Sequence, residues 1–93
     1  MKIPQKLKIG GHNIKVEFCD TAHIEGKGEF NGYHNLIRLQ KEIDTPEDNI
    51  DECLLHEILE AIKKKNNLEL SHIELTVISE VLYQVLHDNK LSF

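Results

Sequence analysis

Ninety-three residues, 40% hydrophobic and 29% charged, make one small domain whose core is only just large enough to fold alone. Sixteen acidic residues against eleven basic ones leave a net charge of −5. That balance argues against the broad positive surface on which non-specific binding to nucleic acid or anionic lipid relies. No repeat, low-complexity tract or Gly/Ser-rich linker divides the chain, so residues 1–93 are expected to form a single domain.

Two cysteines, Cys19 and Cys53, are too few for a disulfide framework. The stretch MKIPQKLKIGGHNIKV lacks the apolar segment of a secretory leader, and no apolar run approaches membrane-spanning length. These features point to a cytoplasmic protein with reduced thiols.

In chain order, Lys6 to Gly10 and His12 to Asp20 alternate polar with apolar residues: Leu7 and Ile9, then Ile14, Val16 and Phe18. Gly10-Gly11 between them allows positive φ in a tight turn, which predicts a hairpin. The segment GKGEFNGYHNLIRLQ repeats the scheme, with Asn31-Gly32 as the hairpin signal between Glu29-Phe30 and Leu36 to Leu39. The expectation is a small antiparallel sheet of three to four strands. A sheet of that size needs helices on one face.

Two helices are predicted after it. The first begins with Thr45 as N-cap, Pro46 at the first helical position and the acids Glu47 and Asp48 in the first turn. It runs to about Lys65 and stops at Asn66-Asn67. Lys63-Lys64-Lys65, the only basic run, sits near the helix end, where cations favour the dipole. The second opens with Ser71 and Glu74 as a capping box, with Leu70 and Leu75 placed for a hydrophobic staple, and continues to about His87. Strands followed by two packed helices make an α+β domain.

On the first helix, Ile50, Leu54, Leu55, Ile58, Leu59, Ala61 and Ile62 share one broad side, the expected core stripe. His56 and Glu60, four residues apart, project together from the opposite side, with Cys53 close by and Glu57 on the flank. A solvated polar face accounts for such a pair. The stretch LLHEILEAI nevertheless reads almost as His-Glu-x-x-His, with Glu60 in the last ligand position.

Two ligands four apart on a helix reach one ion from consecutive turns, and a Glu beside the first can deprotonate a metal-bound water. Carboxylate oxygen ligates zinc at about the distance of imidazole nitrogen, so Glu60 can replace a histidine. The substitution lowers the charge of the site and with it the acidity of the water, so metal binding is the firmer expectation and hydrolysis the weaker.

Zinc needs at least three protein ligands. On the second helix Glu80 borders an apolar stripe of Val77, Ile78, Val81, Leu82 and Val85, with Ile73 alongside, and the stripe is expected to face the first helix. His72, in the first turn of that helix, is the rival ligand, and both residues equally suit an exposed position. His12, His23, His34 and His87 show no ligand spacing.

The order of IGGHNIKVEF, GEFNGYHNLIRL, ECLLHEILEAI, LELSH and ISEVLYQVLHDN resembles small metallopeptidase-type proteins of phages and prophages, which are similar to minimal gluzincins. The likeness runs nearly the length of the chain, and LLHEILEAI and LYQVLHDN are its most specific parts. It implies a minimal zincin-like fold and a bound Zn²⁺, with His56 as first ligand, Glu57 as catalytic base and Glu80 as a further ligand. Glu60 stands where the full motif has histidine, as in a His-Glu-x-x-Glu variant, and His72 is the residue that would compensate. The implied partner is a peptide or protein substrate. The alternative is a catalytically inactive metal-binding or protein-interaction module on the same fold. A DNA-contacting regulator is disfavoured by the acidic balance.

Overall fold

The structure is a computed structural model and describes residues 3–19, 27–42 and 44–91. Asp20 and His23 lie outside the described residues. Four strands, β1 (Lys6–Ile9), β2 (His12–Cys19), β3 (Gly28–Asn31) and β4 (Leu36–Gln40), precede two helices, α1 (Glu47–Asn66) and α2 (His72–Asp88). The α+β expectation holds, with four strands in the sheet.

The first hairpin forms as its glycines predict. Gly10 and Gly11 have φ of 57° and 82°, the pair of positive values that a two-residue turn of this hand requires, and Ile9 pairs with His12. The second hairpin is built differently. Asn31 pairs with Leu36, leaving residues 32–35 as the loop, and the positive φ falls on Asn35 at 50°. Asn31 Oδ1 accepts hydrogen bonds from the Tyr33 and His34 N–H groups at 3.0 and 3.1 Å. Asn31 therefore turns the chain with its side chain, not its backbone.

The sheet is not antiparallel throughout. Its order is β1-β2-β4-β3, and β2 runs parallel to β4, so the sheet is mixed. Polar–apolar alternation says which face of a strand is buried but not which way its neighbour runs. Burial selects the arrangement: β4 has no exposed residue, with Ile37 and Leu39 fully buried, and it takes an interior place between β2 and β3.

One face of the sheet forms the core with α1. Ile9, Ile14, Val16, Phe30, Ile37 and Leu39 pack with Ile50, Leu54 and Ala61, and Cys53, Ile58 and Ile62 close its margin. The other face is polar. There Arg38 reaches across both neighbouring strands, Nε to Glu17 Oε1 at 3.3 Å and Nη1 to Glu29 Oε1 at 3.6 Å. Phe18 continues the alternation of β2 but is exposed, with the Lys41 ammonium 5.0 Å from its ring centroid.

At the start of α1 the N-cap is Pro46, in extended conformation and without a side-chain cap. The hydroxyl of Thr45, expected to cap the helix, instead accepts from the Glu42 N–H at 2.9 Å and closes the preceding turn. At the other end Asn67 adopts a left-handed conformation, and its N–H donates to the Lys63 carbonyl. The capping box of α2 is complete, Glu74 N–H to Ser71 Oγ at 3.1 Å and Ser71 N–H to Glu74 Oε1 at 2.8 Å.

Among the described residues, α2 packs on α1 and touches no strand. The residues it buries are Leu75 and Ser79, with Thr76, Tyr83 and Leu86 half-buried. The stripe expected to face α1 is turned the other way: Ile73, Val77, Ile78, Val81, Leu82 and Val85 are all exposed. Apolar residues occur on both sides of this helix, and the small Ser79 side lets it close on α1. The Ser79 hydroxyl is satisfied within the helix by the Thr76 carbonyl at 3.0 Å. No described helix is long and apolar enough to cross a membrane.

Candidate functional site

Where α1, the first half of α2 and the start of β3 meet, they leave a cleft of about 390 Å³. The non-core side of α1 supplies Asn49, Glu52, Cys53, His56 and Glu57. α2 supplies His72, Thr76, Ser79 and Glu80, β3 supplies Gly28, and Lys27 comes from just before it. Of the residues singled out from sequence, His56, Glu57, His72 and Glu80 thus line one space. Glu80 reaches it because it flanks the true α1-facing side of α2, not because of the outward apolar stripe. A second cleft of about 320 Å³ shares Lys27, Asn49 and Cys53 and continues to Thr45 and Pro46 ahead of α1.

The two histidines are neighbours. The rings of His56 and His72 meet edge to face with centroids 5.1 Å apart. Burial pushes the His56 pKa below its usual value, the His72 charge pushes it the same way, and Glu60 opposes them. His56 is therefore held toward the neutral imidazole, the form that can ligate a metal or accept a proton.

Glu57 is buried, although the helix periodicity put it only on the flank of the polar face. Burial, with Glu60 and Glu29 nearby and Lys64 opposing, pushes its carboxyl up from 4.5 to about 7. The neighbour that permits this position is Gly28. A Cβ there would lie 3.3 Å from Glu57 Cγ and Oε2, and 3.3 Å from the Arg38 carbonyl oxygen. The strand backbone therefore lies directly against the carboxyl group. Sequence reasoning assigned Gly28 no role. An isolated glycine at the start of a strand is the signal that could have found it, since such glycines mark close backbone approach.

Cys53 lines the cleft as a neutral thiol, its pKa raised first by burial and further by Glu57 and Glu52 against Lys27. Glu60 lies one turn beyond His56 and does not line the cleft. Its Oε1 lies 3.8 Å from Lys63 Nζ.

Imidazole nitrogens and carboxylate oxygens are the donors that hold zinc, and a cleft with two adjacent imidazoles, Glu80 on its wall and Glu60 one turn away fits such an ion in donor chemistry. Among the described residues, no three His, Cys, Asp or Glu side chains converge closely enough to hold one as they stand. No protein-family profile, curated protein or solved structure matches the chain.

Proposed function

We propose that the chain is a small zinc-dependent peptidase of phage or prophage type, with Glu57 as the proton-accepting group. The observation that carries this reading is the buried Glu57 carboxyl on the cleft wall, poised near pH 7 beside the paired rings of His56 and His72. A general base works best when its pKa lies near the working pH, and burial supplies that match here.

His56 and His72, with Glu80 and Glu60 as the available carboxylates, are the residues that would hold the ion. Bound zinc supplies Lewis acidity to a water and to the scissile carbonyl. Glu57 takes the proton of the attacking water and returns it to the leaving amine, and its burial excludes competing solvent. Gly28 keeps the strand low enough for the carboxyl to stay on the cleft wall. Among the described strands β3 lies at the sheet edge, so an extended peptide can add to it by main-chain hydrogen bonds and run beside Glu57.

A catalytically inactive binding module on the same fold is the second reading. It is favoured by the Glu60–Lys63 contact, which engages the changed ligand position away from the cleft. Metal content of protein purified without chelator or affinity metal, repeated on His56→Ala, Glu60→Ala, His72→Ala and Glu80→Ala, names the ligands. Glu57→Gln is expected to abolish chelator-sensitive peptide hydrolysis while leaving metal content unchanged. Hydrolysis that survives in Glu57→Gln removes the assigned base. A wild-type protein that binds metal but cleaves no peptide leaves the binding-module reading in its place.

A further inference from the structure

Among the described residues nothing covers the outward side of α2, and its chemistry is that of a core. Ile73 is 75% exposed, Val77 and Val81 52% each, and Ile78, Leu82 and Val85 between 37% and 42%. At 100° per residue Val77, Val81 and Val85 form the outermost row, with Glu74 and Asp88 at its two ends and Ile78 and Leu82 beside it. Together the six side chains present on the order of 500 Å² of apolar surface, the size of the largest patches on monomers, which are often functional.

We propose that this face binds a second copy of the same chain, with the two α2 helices packed antiparallel about a two-fold axis. The area fits. An apolar strip of this size, widened by its polar margins, approaches the roughly 800 Å² that each partner contributes to a stable complex.

The charges fit as well. With the axis level with the midpoint between Ile78 and Val81, Ile78 lies opposite the second copy's Val81, and Val77 opposite its Leu82. Glu74, on the same face, then comes level with the second copy's Val85 and not with another acid. At each end of the pair, Lys90 of one copy reaches the level of Glu69 of the other. Asp88 reaches the start of the other's α2 at Ser71, where the helix dipole favours an anion. A parallel pair would instead align Glu74 with Glu74 and Asp88 with Asp88.

The result is a four-helix layer, α1-α2-α2-α1, between two sheets, in which every apolar side of α2 is covered. His72, Thr76 and Ser79 lie on the opposite side of α2 and Glu80 on its flank beside Ile73, so association leaves the cleft open at its α1 side.

Sedimentation equilibrium from low-micromolar to near-millimolar protein tests the proposal. The expected mass is twice that of the chain. Val81→Lys and Val81→Glu are each expected to be monomeric, their dissociation constants raised about 100-fold or more by a buried unpaired charge, with unchanged helical circular dichroism. An equimolar mixture of the two is expected to recover the dimer, because the two substituted positions lie close to the axis. Val77→Lys provides the same reading at a second position should either Val81 variant lose its helical signal. A wild-type chain that stays monomeric across the range overturns the proposal and leaves the face to a different protein. So does a folded Val81→Lys that remains dimeric, or a mixture that fails to associate.

Discussion

α1 and α2 lie side by side and both mix apolar with polar residues, yet they send most of their apolar side chains to different places. α1 lies between the sheet and α2. Its stripe of Ile50, Leu54 and Ala61 goes into the core, and its polar side carries His56. Among the described elements α2 has one neighbour. It buries Leu75 and Ser79 and shows solvent its longest run of branched apolar residues. The difference teaches that an apolar stripe becomes a core stripe only where a facing layer exists to cover it. For α1 the sheet is that layer; for the outward side of α2 the described residues provide none.

The largest effect should separate the two stripes directly. Leu54→Ala removes a side chain that is 1% exposed, and it should lower unfolding stability by about 3 kcal/mol through lost burial and the cavity left behind. Val77→Ala, in dilute protein, should change it by less than about 0.5 kcal/mol, because the site is half open and alanine favours helix. Urea unfolding of both variants measures the contrast. Equal losses would mean that the α2 stripe is covered in the free chain.

A smaller effect tests the polar side of α1. The folded Glu57 carboxyl titrates at about 7, against an ordinary value of 4.5. Between those values the folded chain holds more protons than the unfolded one, so this group's contribution to stability falls as pH rises from about 4.5 through 7. Metal-free Glu57→Gln lacks that loss. Its stability relative to wild type should therefore rise across this window, by about 2 to 3 kcal/mol, and level off above pH 8. Thermal unfolding at pH 4.5 and pH 8 reads the difference; a difference independent of pH would show that burial does not perturb Glu57.

The helix starts give the smallest contrast. Ser71→Ala removes the hydroxyl that accepts the Glu74 N–H, leaving only the backbone half of the capping box, and should cost about 1 kcal/mol. Thr45→Ala removes only the hydrogen bond to Glu42 and should cost less than about 0.5 kcal/mol. A Thr45 variant as damaging as the Ser71 one would restore threonine as the cap of α1.

Features set by neighbouring residues were readable from sequence. Gly10-Gly11 predicts its turn, Ser71 and Glu74 their capping box, and Asn66-Asn67 the end of α1, because in each a few adjacent residues satisfy one another's backbone groups. The core stripe of α1 was readable for a related reason: one period and one covering layer agree. The parallel pairing of β2 with β4 was not, since alternation carries no direction. The outward turn of α2 was hidden because that helix offers two apolar sides. In the cleft, helix spacing marked the side of α1 that carries His56 and Glu57. It grouped with them Glu60, which does not line the cleft, and Glu80 was expected there from an apolar stripe that faces outward. The burial of Glu57 depends on Gly28, distant in sequence, and only tertiary contact displays it.

Among the described elements α2 is attached to α1 alone, and this has a further consequence for the cleft. Its walls belong to units of unequal local stability: His56 and Glu57 sit on a helix locked to the sheet, while His72 and Glu80 ride on one secured from a single side. Regions with fewer buried contacts open at lower free energy than the global transition. The wall bearing His72 and Glu80 is thus the part of the cleft that sub-global unfolding takes first. Whatever bridges the two helices there, a ligand in the cleft included, acts as a clasp whose binding energy is also the folding energy of α2.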